Sequence, residues 1–273
     1  SFARTRVPGG WDFRNVEGVE GASGGGCFAP LWRDDRCDVV VAGDGGLVLL
    51  ANEGGRAVEV TTEGNEITET SPGMIATVAE DLDADGRIDL FSIGSESPPI
   101  LHLNRGYGSF ISPSKYAKDI FVGEAHQRPA SAAVAGDADG DGANDLLLGD
   151  AEGRVTLLLN GSLALRRTDV DPVALTHHDR LRRGIALVAV RVRPGRGTLG
   201  AELSLSDAAG RVVARRLIGA QVGVGCRAPD AAIFAVREHG DYRVELRLSD
   251  GSTHAAQVAC AAGGRTDLVL PAP

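Results

Sequence analysis

Short runs of aliphatic residues, separated by turn residues, recur along the first part of the chain. DVVVAG (38–43), DLFSIG (89–94) and DLLLG (145–149) each indicate a buried strand, and each is followed by a turn and a second strand. The leading aspartates of these runs lie 51 and 56 residues apart. One strand–turn–strand unit per period of this length is typical of propellers and solenoids. We therefore expect about three β-propeller blades within residues 1–165.

The rest of the chain alternates apolar and polar side chains without a helical period. GIALVAVRVR (184–193) and YRVELRLS (242–249) alternate in this way, and Asp250-Gly251 is typical of a hairpin turn. About seven short strands of this kind predict a small β-sandwich or barrel over residues 183–273. Residues 166–182 are polar and charged and are predicted to be a linker. The predicted fold is therefore all-β, with partial propeller blades followed by a small sandwich.

Two of the repeats crowd aspartates against the aliphatic strand. DLDADGRID (81–89) and DADGDGAND (137–145) both fit the pattern D-x-D-x-D-G-x-x-D. Like charges at this spacing repel one another, so the pattern indicates a bound cation; calcium, which takes six to eight oxygen ligands, is the natural candidate. We expect about two calcium ions, and a solvated acidic turn is the alternative. The expected ligands are carboxylates, except that the seventh residue of each loop is expected to bind through its backbone carbonyl. They are Asp81, Asp83, Asp85, Arg87, Asp89, Asp137, Asp139, Asp141, Ala143 and Asp145.

The loop of the first repeat lacks most of this pattern. When Asp38 is aligned with Asp89, Pro30 and Trp32 stand where the second repeat has its first two aspartates. Only Asp34 and Asp38 remain as possible ligands. We therefore expect that this loop does not hold calcium well.

The four cysteines suggest another way to close that turn. Cys27 and Cys37 flank the first loop, and a disulfide between them would close it covalently; two buried free thiols are the alternative. Cys226 and Cys260 are expected to pair within the C-terminal half. An even number of cysteines favours an oxidising compartment, and the Asn160-Gly161-Ser162 sequon is compatible with secretion.

The charge is unevenly distributed, although the net charge is -9. Residues 1–165 carry 12 basic and 26 acidic side chains, whereas residues 166–273 carry 16 basic and 11 acidic ones. The acidic excess argues against nucleic acid as a partner of the first half. The basic half either binds an acidic partner, such as a sulfated glycan or the acidic half itself, or is a plain solvated surface.

The histidines and the apolar runs of the sequence favour neither catalysis nor a membrane span. The one histidine pair, His177-His178, lies in the predicted linker, and adjacent side chains on an extended chain point in opposite directions. No zincin or phosphate-loop motif occurs. The longest apolar runs, such as residues 46–51, have the length of a strand. We expect neither catalysis nor a membrane span.

The aspartate loop, the aliphatic strand after it and a second strand that ends in N-x-G-x-G-x-F together resemble a known family. The last motif is Asn104, Gly106, Gly108 and Phe110 here. Residues 1–165 look like the FG-GAP or VCBS repeats of integrin-α-type β-propellers. This resemblance implies calcium-dependent extracellular structure and protein or matrix interaction, and it implies no known reaction.

The C-terminal half is similar to the ASPIC/UnbV domain that follows such repeats in the cartilage acidic protein family. The family's H-F-G-L-G is represented by Ile233-Phe234-Ala235-Val236 and its W-P-D-G by Leu248-Ser249-Asp250-Gly251. The turn is kept, while the tryptophan and the proline are missing. With the repeats, this resemblance implies a secreted, periplasmic or lumenal protein.

The number of repeats indicates that further blades or a partner are needed. A propeller normally needs four to eight blades, and about three are recognisable here. The chain also begins in mid-unit, since Ser1-Phe2 fits the end of a blade. We therefore expect a protein partner or a further N-terminal propeller portion, because an open sheet edge is otherwise exposed. The alternatives to an interaction module are a structural subunit of a large assembly and a non-catalytic part of a carbohydrate-active enzyme.

Overall fold

The structure is a computed structural model, and its described residues contain 20 β-strands and no helix. This confirms the predicted all-β fold. The described residues are 2–7, 10–15, 24–32, 37–43, 46–53, 57–60, 73–106, 108–112, 128–161, 185–195, 197–218 and 231–271.

The N-terminal part forms one small hairpin and three larger antiparallel sheets. Its strands are β1 (Phe2–Val7), β2 (Gly10–Asn15), β3 (Gly26–Ala29), β4 (Asp38–Gly43), β5 (Gly46–Asn52), β6 (Ala57–Glu59), β7 (Met74–Glu80), β8 (Asp89–Gly94), β9 (Ile100–Gly106), β10 (Ser109–Ile111), β11 (Ala132–Gly136), β12 (Asp145–Gly149) and β13 (Val155–Leu158). Strands β3 to β6 are the first blade, β7 to β10 the second and β11 to β13 the third, each with its strands side by side in chain order.

The three predicted repeats adopt the same register. In each blade, the aspartate that opens the aliphatic strand pairs with the last residue of the strand before the loop. The pairs are Ala29 with Asp38, Glu80 with Asp89 and Gly136 with Asp145. The alternation of aliphatic side chains therefore places the same positions inside each blade, and the three loops occupy equivalent places.

The blades lie side by side and are joined by backbone hydrogen bonds. Gly25 N donates to Ile75 O at 2.6 Å, which joins the first blade to the second, and Ala130 N donates to Gly94 O at 3.1 Å, which joins the second to the third. One apolar cluster fills the space between the first two blades and another the space between the last two. Within the described part of the chain these blades do not close into a ring.

The C-terminal part is a sandwich of two sheets. Its strands are β14 (Ala186–Val192), β15 (Ala201–Ser206), β16 (Val212–Ile218), β17 (Ala231–Val236), β18 (Gly240–Arg247), β19 (Thr253–Cys260) and β20 (Arg265–Leu270). The sheets are β17-β14-β20, in which β14 and β20 run parallel, and β16-β15-β18-β19. Val188, Leu203, Phe234 and Val244 are fully buried between them. The predicted hairpin turn joins β18 to β19.

The predicted disulfide of the first blade is wrong, because Cys27 and Cys37 are free thiols in the structure. Cys27 lies opposite Val40 of β4, and Cys37 precedes Val40 by three residues. An extended chain therefore separates the two cysteine Cα atoms by about 10 Å, beyond the roughly 4 to 7 Å that a disulfide spans. Burial raises the pKa of the Cys27 thiol to about 12. Cys260 is also free, and Cys226 lies outside the described residues.

Several predictions fall on residues that the structure does not describe. These are the linker at 166–182, the pair His177-His178 and Asp34 of the first loop. The division into residues 1–165, 166–182 and 183–273 stays a prediction. Nowhere in the described part of the chain is there a helix with the length and apolar character needed to cross a lipid bilayer.

Candidate metal centres in the aspartate loops

The loop of the second blade brings three carboxylates together. Asp81 follows β7, Asp89 opens β8, and Asp83 lies between them. One oxygen from each carboxylate lies within 4.8 Å of the other two, and all three residues are buried. We call these residues the second-blade triad.

The loop folds this way because its own carboxylates accept its backbone N–H groups. Asp81 Oδ1 accepts from Asp85 N and Asp81 Oδ2 from Gly86 N, both at 3.0 Å. Asp83 Oδ1 also accepts from Asp85 N, at 3.1 Å. Aspartate favours such turns because its short side chain reaches backbone amides a few residues ahead. The alternate aspartates therefore shape the loop and bring their carboxylates together at one point.

The loop of the third blade repeats this arrangement in a more open form. Asp137, Asp139 and Asp145, the third-blade triad, also place one oxygen each within 4.8 Å of the others. Asp137 Oδ2 accepts from Gly142 N at 3.1 Å, and Asp139 Oδ1 accepts from Asp141 N at 3.1 Å. Asp145 is buried and Asp137 half-buried, whereas Asp139 is exposed. The two loops thus offer the same donors with different access to solvent.

The electrostatics of the second-blade triad favour a bound positive charge. Burial, and then the charge of Asp83, raise the pKa of Asp81 to about 7. Burial, followed by the charges of Asp83 and Asp81, raises the pKa of Asp89 well above its usual value. Three hard oxygen donors separated by less than about 5 Å suit a cation that binds oxygen at about 2.3 to 2.6 Å. Both triads can therefore hold a metal ion.

The other predicted ligands lie in the same loops but outside the triads. The Asp85 carboxylate contacts Arg87, and it lies 3.5 Å from Nη2 of Arg237. Asp141 Oδ1 accepts from Ala143 N at 2.7 Å. Arg87 and Ala143 stand at the seventh position of each loop, as expected, and ligation by their carbonyl oxygens stays a prediction.

The last aspartate of each loop anchors the blade. Asp89 Oδ2 accepts from Leu82 N and Asp89 Oδ1 from Asn104 N, both at 2.9 Å. The equivalent acceptors are Asp38, from Leu31 N and Asn52 N at 2.9 Å each, and Asp145, from Ala138 N and Asn160 N at 2.7 Å each. The aspartate at this position thus ties the loop to the next two strands in each of the three blades. This includes the first blade, whose loop lacks a triad.

An asparagine links neighbouring blades, which the sequence analysis missed. Asn104 Nδ2 donates to Ile88 O at 3.0 Å in its own blade and to Leu31 O at 3.3 Å in the blade before. Asn160 repeats these bonds, to Asn144 O at 2.8 Å and Leu82 O at 2.7 Å. The signal was the recurrence of asparagine at 52, 104 and 160, at the spacing of the repeats.

The same bonds correct the interpretation of the sequon. Asn160 is 3% exposed, and its amide is used within the fold. A buried, hydrogen-bonded asparagine is not an accessible acceptor for a glycan, so the sequon does not support secretion.

The first loop has packing where the other two loops have a carboxylate triad. Trp32, at the place of Asp83, lies against Gly108 of the second blade so closely that a Cβ at Gly108 would be 1.8 Å from the indole ring. Among the described residues around Asp38 there is no further group of converging carboxylates.

A cleft separates the third blade from the sheet β17-β14-β20. Its volume is about 610 Å³, and its lining includes Asp137 and Asp145 of the third-blade triad and Arg265 of β20. Leu147 and Leu157 of the third blade form part of its apolar wall. The open side of the third-blade triad therefore borders a space between the two halves.

Residues 31–92 and 81–148 match the family model of the FG-GAP-like repeat. These two stretches of the chain are therefore similar to FG-GAP-like repeats. The two matches span the aliphatic strands of all three blades and both aspartate loops, which supports the resemblance drawn from the sequence for this part. They end before the sandwich, so the similarity of the C-terminal half to the ASPIC/UnbV domain stays a prediction.

Other known proteins add little. No curated protein matches the chain in sequence. Among solved structures, gamma-CGTase from alkalophilic Bacillus clarkii is 8% identical, covers 91% of this chain and has a TM-score of 0.19; the chain spans 42% of that protein. The major pilin subunit BcpA of Bacillus cereus is 9% identical, with 86% of this chain and 84% of the pilin covered and a TM-score of 0.19. Similarity this low carries no argument.

Proposed function

We propose that the chain is a non-catalytic interaction module whose FG-GAP-like blades are stabilised by calcium. The proposal depends on one observation, the occurrence of the same carboxylate triad at equivalent places in two blades. A solvated acidic turn has no reason to bring three carboxylates to the same point twice, once among buried residues. Calcium is favoured because all the donors are hard oxygens.

In this proposal Asp81, Asp83 and Asp89 hold one ion, and the third-blade triad holds the other. When bound, each ion offsets the mutual repulsion of its carboxylates and fixes the turn that they surround. The chain's own residues do the rest, since Asp89 and Asn104 tie the turn to its blade. The rigid turns would then set how the blade loops are presented to a partner.

The nature of the partner follows from the family resemblance. FG-GAP repeats are typical of extracellular proteins and often mediate protein contacts, so we propose a protein or matrix component as the partner, in an extracellular, periplasmic or lumenal compartment. The sandwich would correspond to the ASPIC/UnbV domain. The clustered acids are better explained by a cation than by paired general acid and base, which supports a non-catalytic role.

Titration calorimetry with calcium on the full chain tests the proposal. We expect about two ions to bind. In the isosteric double variant Asp83→Asn with Asp139→Asn, we expect binding to be lost at both sites. The matched control is Asp150→Asn with Asp207→Asn, because these aspartates form turns with Arg154 and Arg211 and are not members of a triad. It should bind as the unaltered chain does.

The melting temperature provides the second measurement. It should fall in chelator for the unaltered chain and for the control, and it should not respond in the double variant. Absence of binding together with an unchanged melting temperature would show that the aspartates are ordinary solvated turns.

A second candidate is a structural subunit that another chain completes, and the third blade favours it. This blade has three described strands where the others have four, and the outer edge of β13 has no described neighbour. On this edge strand Val155 is 68% exposed and Leu157 is 47% exposed. Exposed apolar edges of this kind favour pairing with another chain. A native mass that always corresponds to the single chain, measured with its cellular partners present, would argue against this candidate.

A further inference from the structure

Both aspartate loops touch the C-terminal sandwich. Each loop contributes one buried methyl group, from Ala84 in the second-blade loop and from Ala143 in the third-blade loop. Both methyl groups lie in one cluster with Ile185, which precedes β14, and Leu187, which belongs to β14. Ile233 of β17 packs against the same cluster from the sandwich. One small apolar interface therefore joins both loops to the sheet β17-β14-β20.

Two arginines of the sandwich extend the contact, one to each loop. Arg237 Nε donates to the backbone carbonyl of Asp85 at 3.2 Å. Arg265 Nη1 donates to the backbone carbonyl of Gly140 at 2.9 Å, and it lies 3.3 Å from Asp137 Oδ2. The acidic half and the basic half of the chain thus meet at the loops. Exposed ion pairs alone contribute little, but carbonyl acceptors make the contact sensitive to the shape of the loop backbone.

The backbone of the second-blade loop is also fitted to the sheet. A Cβ at Gly86 would lie 3.0 Å from Ala235 O, so the loop approaches β17 closely. Ala84 has a φ of +57°, a conformation that residues other than glycine rarely adopt, and the third-blade loop has Gly140 at the same place. Such a backbone persists when its surroundings hold it, and here the Ala84 methyl is held in the interface.

We propose that the two aspartate loops are the docking surface of the C-terminal sandwich, and that cation binding in the triads and docking of the sandwich favour each other. This inference rests on the proposed calcium binding. The physical reason is that a triad without a cation contains carboxylates that repel one another and widen the loop. A wider loop would displace the two alanine methyl groups and the two carbonyl oxygens that the sandwich contacts. By thermodynamic reciprocity, docking must then raise the affinity for the cation.

Hydrogen–deuterium exchange followed by mass spectrometry on the full chain tests the coupling. In chelator, we expect the amides of residues 231–237, on the edge strand β17 and just after it, to exchange at least about fivefold faster than in calcium. Strands β15 and β18 are the two central strands of the other sheet of the sandwich. They serve as internal controls, and their exchange should be unchanged by chelator. Faster exchange throughout the sandwich would mean global unfolding and would overturn the proposal.

The reciprocal effect is tested with Ile233→Ala, which trims the interface without adding or removing charge. Its calcium dissociation constant should rise at least about threefold, while β18 stays protected from exchange. Val213→Ala is the matched control, because Val213 is a partly buried aliphatic residue that packs on the interior of the same sandwich. It should leave the calcium affinity unchanged. An unchanged affinity in Ile233→Ala, with faster exchange in β17, would show docking and binding to be independent.

The two proposals fail in different ways. If calorimetry shows about two ions but the exchange of β17 is the same in calcium and chelator, only the coupling is wrong. If calorimetry shows no ion, the calcium proposal is wrong and the coupling is overturned with it.

Discussion

The first and second blades share one frame but differ in the loop that the frame surrounds. Asp38 and Asp89 accept backbone N–H groups at equivalent positions, and both belong to strands with the same register. Yet the second blade has a triad of carboxylates, whereas the first has Trp32 packed against Gly108. The comparison teaches that the blades share the aspartate frame, and that the place of the carboxylate triad in one blade is taken by packing in another.

Removal of the cation should produce the largest difference in stability between the first and second blades. With free calcium about 100-fold above the dissociation constant, each occupied triad adds about 2.7 kcal/mol to the free energy of unfolding, so chelation should cost about 5 kcal/mol for two triads. Hydrogen exchange in chelator should become faster around Asp81 to Asp89, while β4 and β5 of the first blade keep their protection. Equal acceleration in both blades would show that the first blade depends on calcium too.

The frame itself should be next in importance, and it should matter without calcium. In Asp38→Ala, three backbone N–H groups, of Leu31, Trp32 and Asn52, lose a common acceptor. Because each unsatisfied buried donor costs about 1 to 3 kcal/mol, the free energy of unfolding should fall by about 3 kcal/mol or more. Urea denaturation in calcium and in chelator measures this loss, which should be the same in both.

The control for the frame is Asp241→Ala, at an exposed position of β18, which should change the free energy of unfolding by less than about 0.5 kcal/mol. If Asp38→Ala were as mild as this control, the shared frame would not be what holds the blades.

The link between blades should contribute less than the frame. Asn104→Ala leaves the carbonyl oxygens of Ile88 and Leu31 without this donor, which should cost about 2 kcal/mol. Asn160→Ala should cost a similar amount, since it removes the same pair of bonds one blade later. Denaturant midpoints measure both variants. A lower free energy of unfolding in Asn104→Ala, with no change in Asn160→Ala, would show that the two blade junctions are not equivalent.

The sequence predicted those features of the two blades that depend on short local patterns. The aliphatic strands and the aspartate loops follow from short patterns, and the broken first loop was visible because Pro30 and Trp32 interrupt such a pattern. The all-β sandwich followed from alternation in the same way. These features are set by residues a few positions apart.

Features that depend on residues distant in the chain were missed. The expected pairing of Cys27 with Cys37 overlooked the register that separates them along β4. The contact of Asn104 with Leu31 joins residues 73 positions apart, and that of Arg265 with Gly140 joins residues 125 positions apart. No local pattern marks such contacts, although the recurrence of the asparagine at the repeat spacing was available as a signal.

The smallest effect concerns the packing of Trp32 on Gly108, which takes the place of the carboxylate triad in the first blade. Gly108 has a φ of +69°, so Gly108→Ala should cost about 1 kcal/mol from its backbone alone, and more because the new Cβ would overlap the Trp32 ring. In a Trp32→Ala background the overlap is gone and only the backbone cost should remain. A double-mutant cycle measured by urea denaturation should therefore give a coupling of about 1 kcal/mol between the two positions. Additive effects would show that Trp32 does not pack on Gly108, and the first loop would then lack any substitute for the cation.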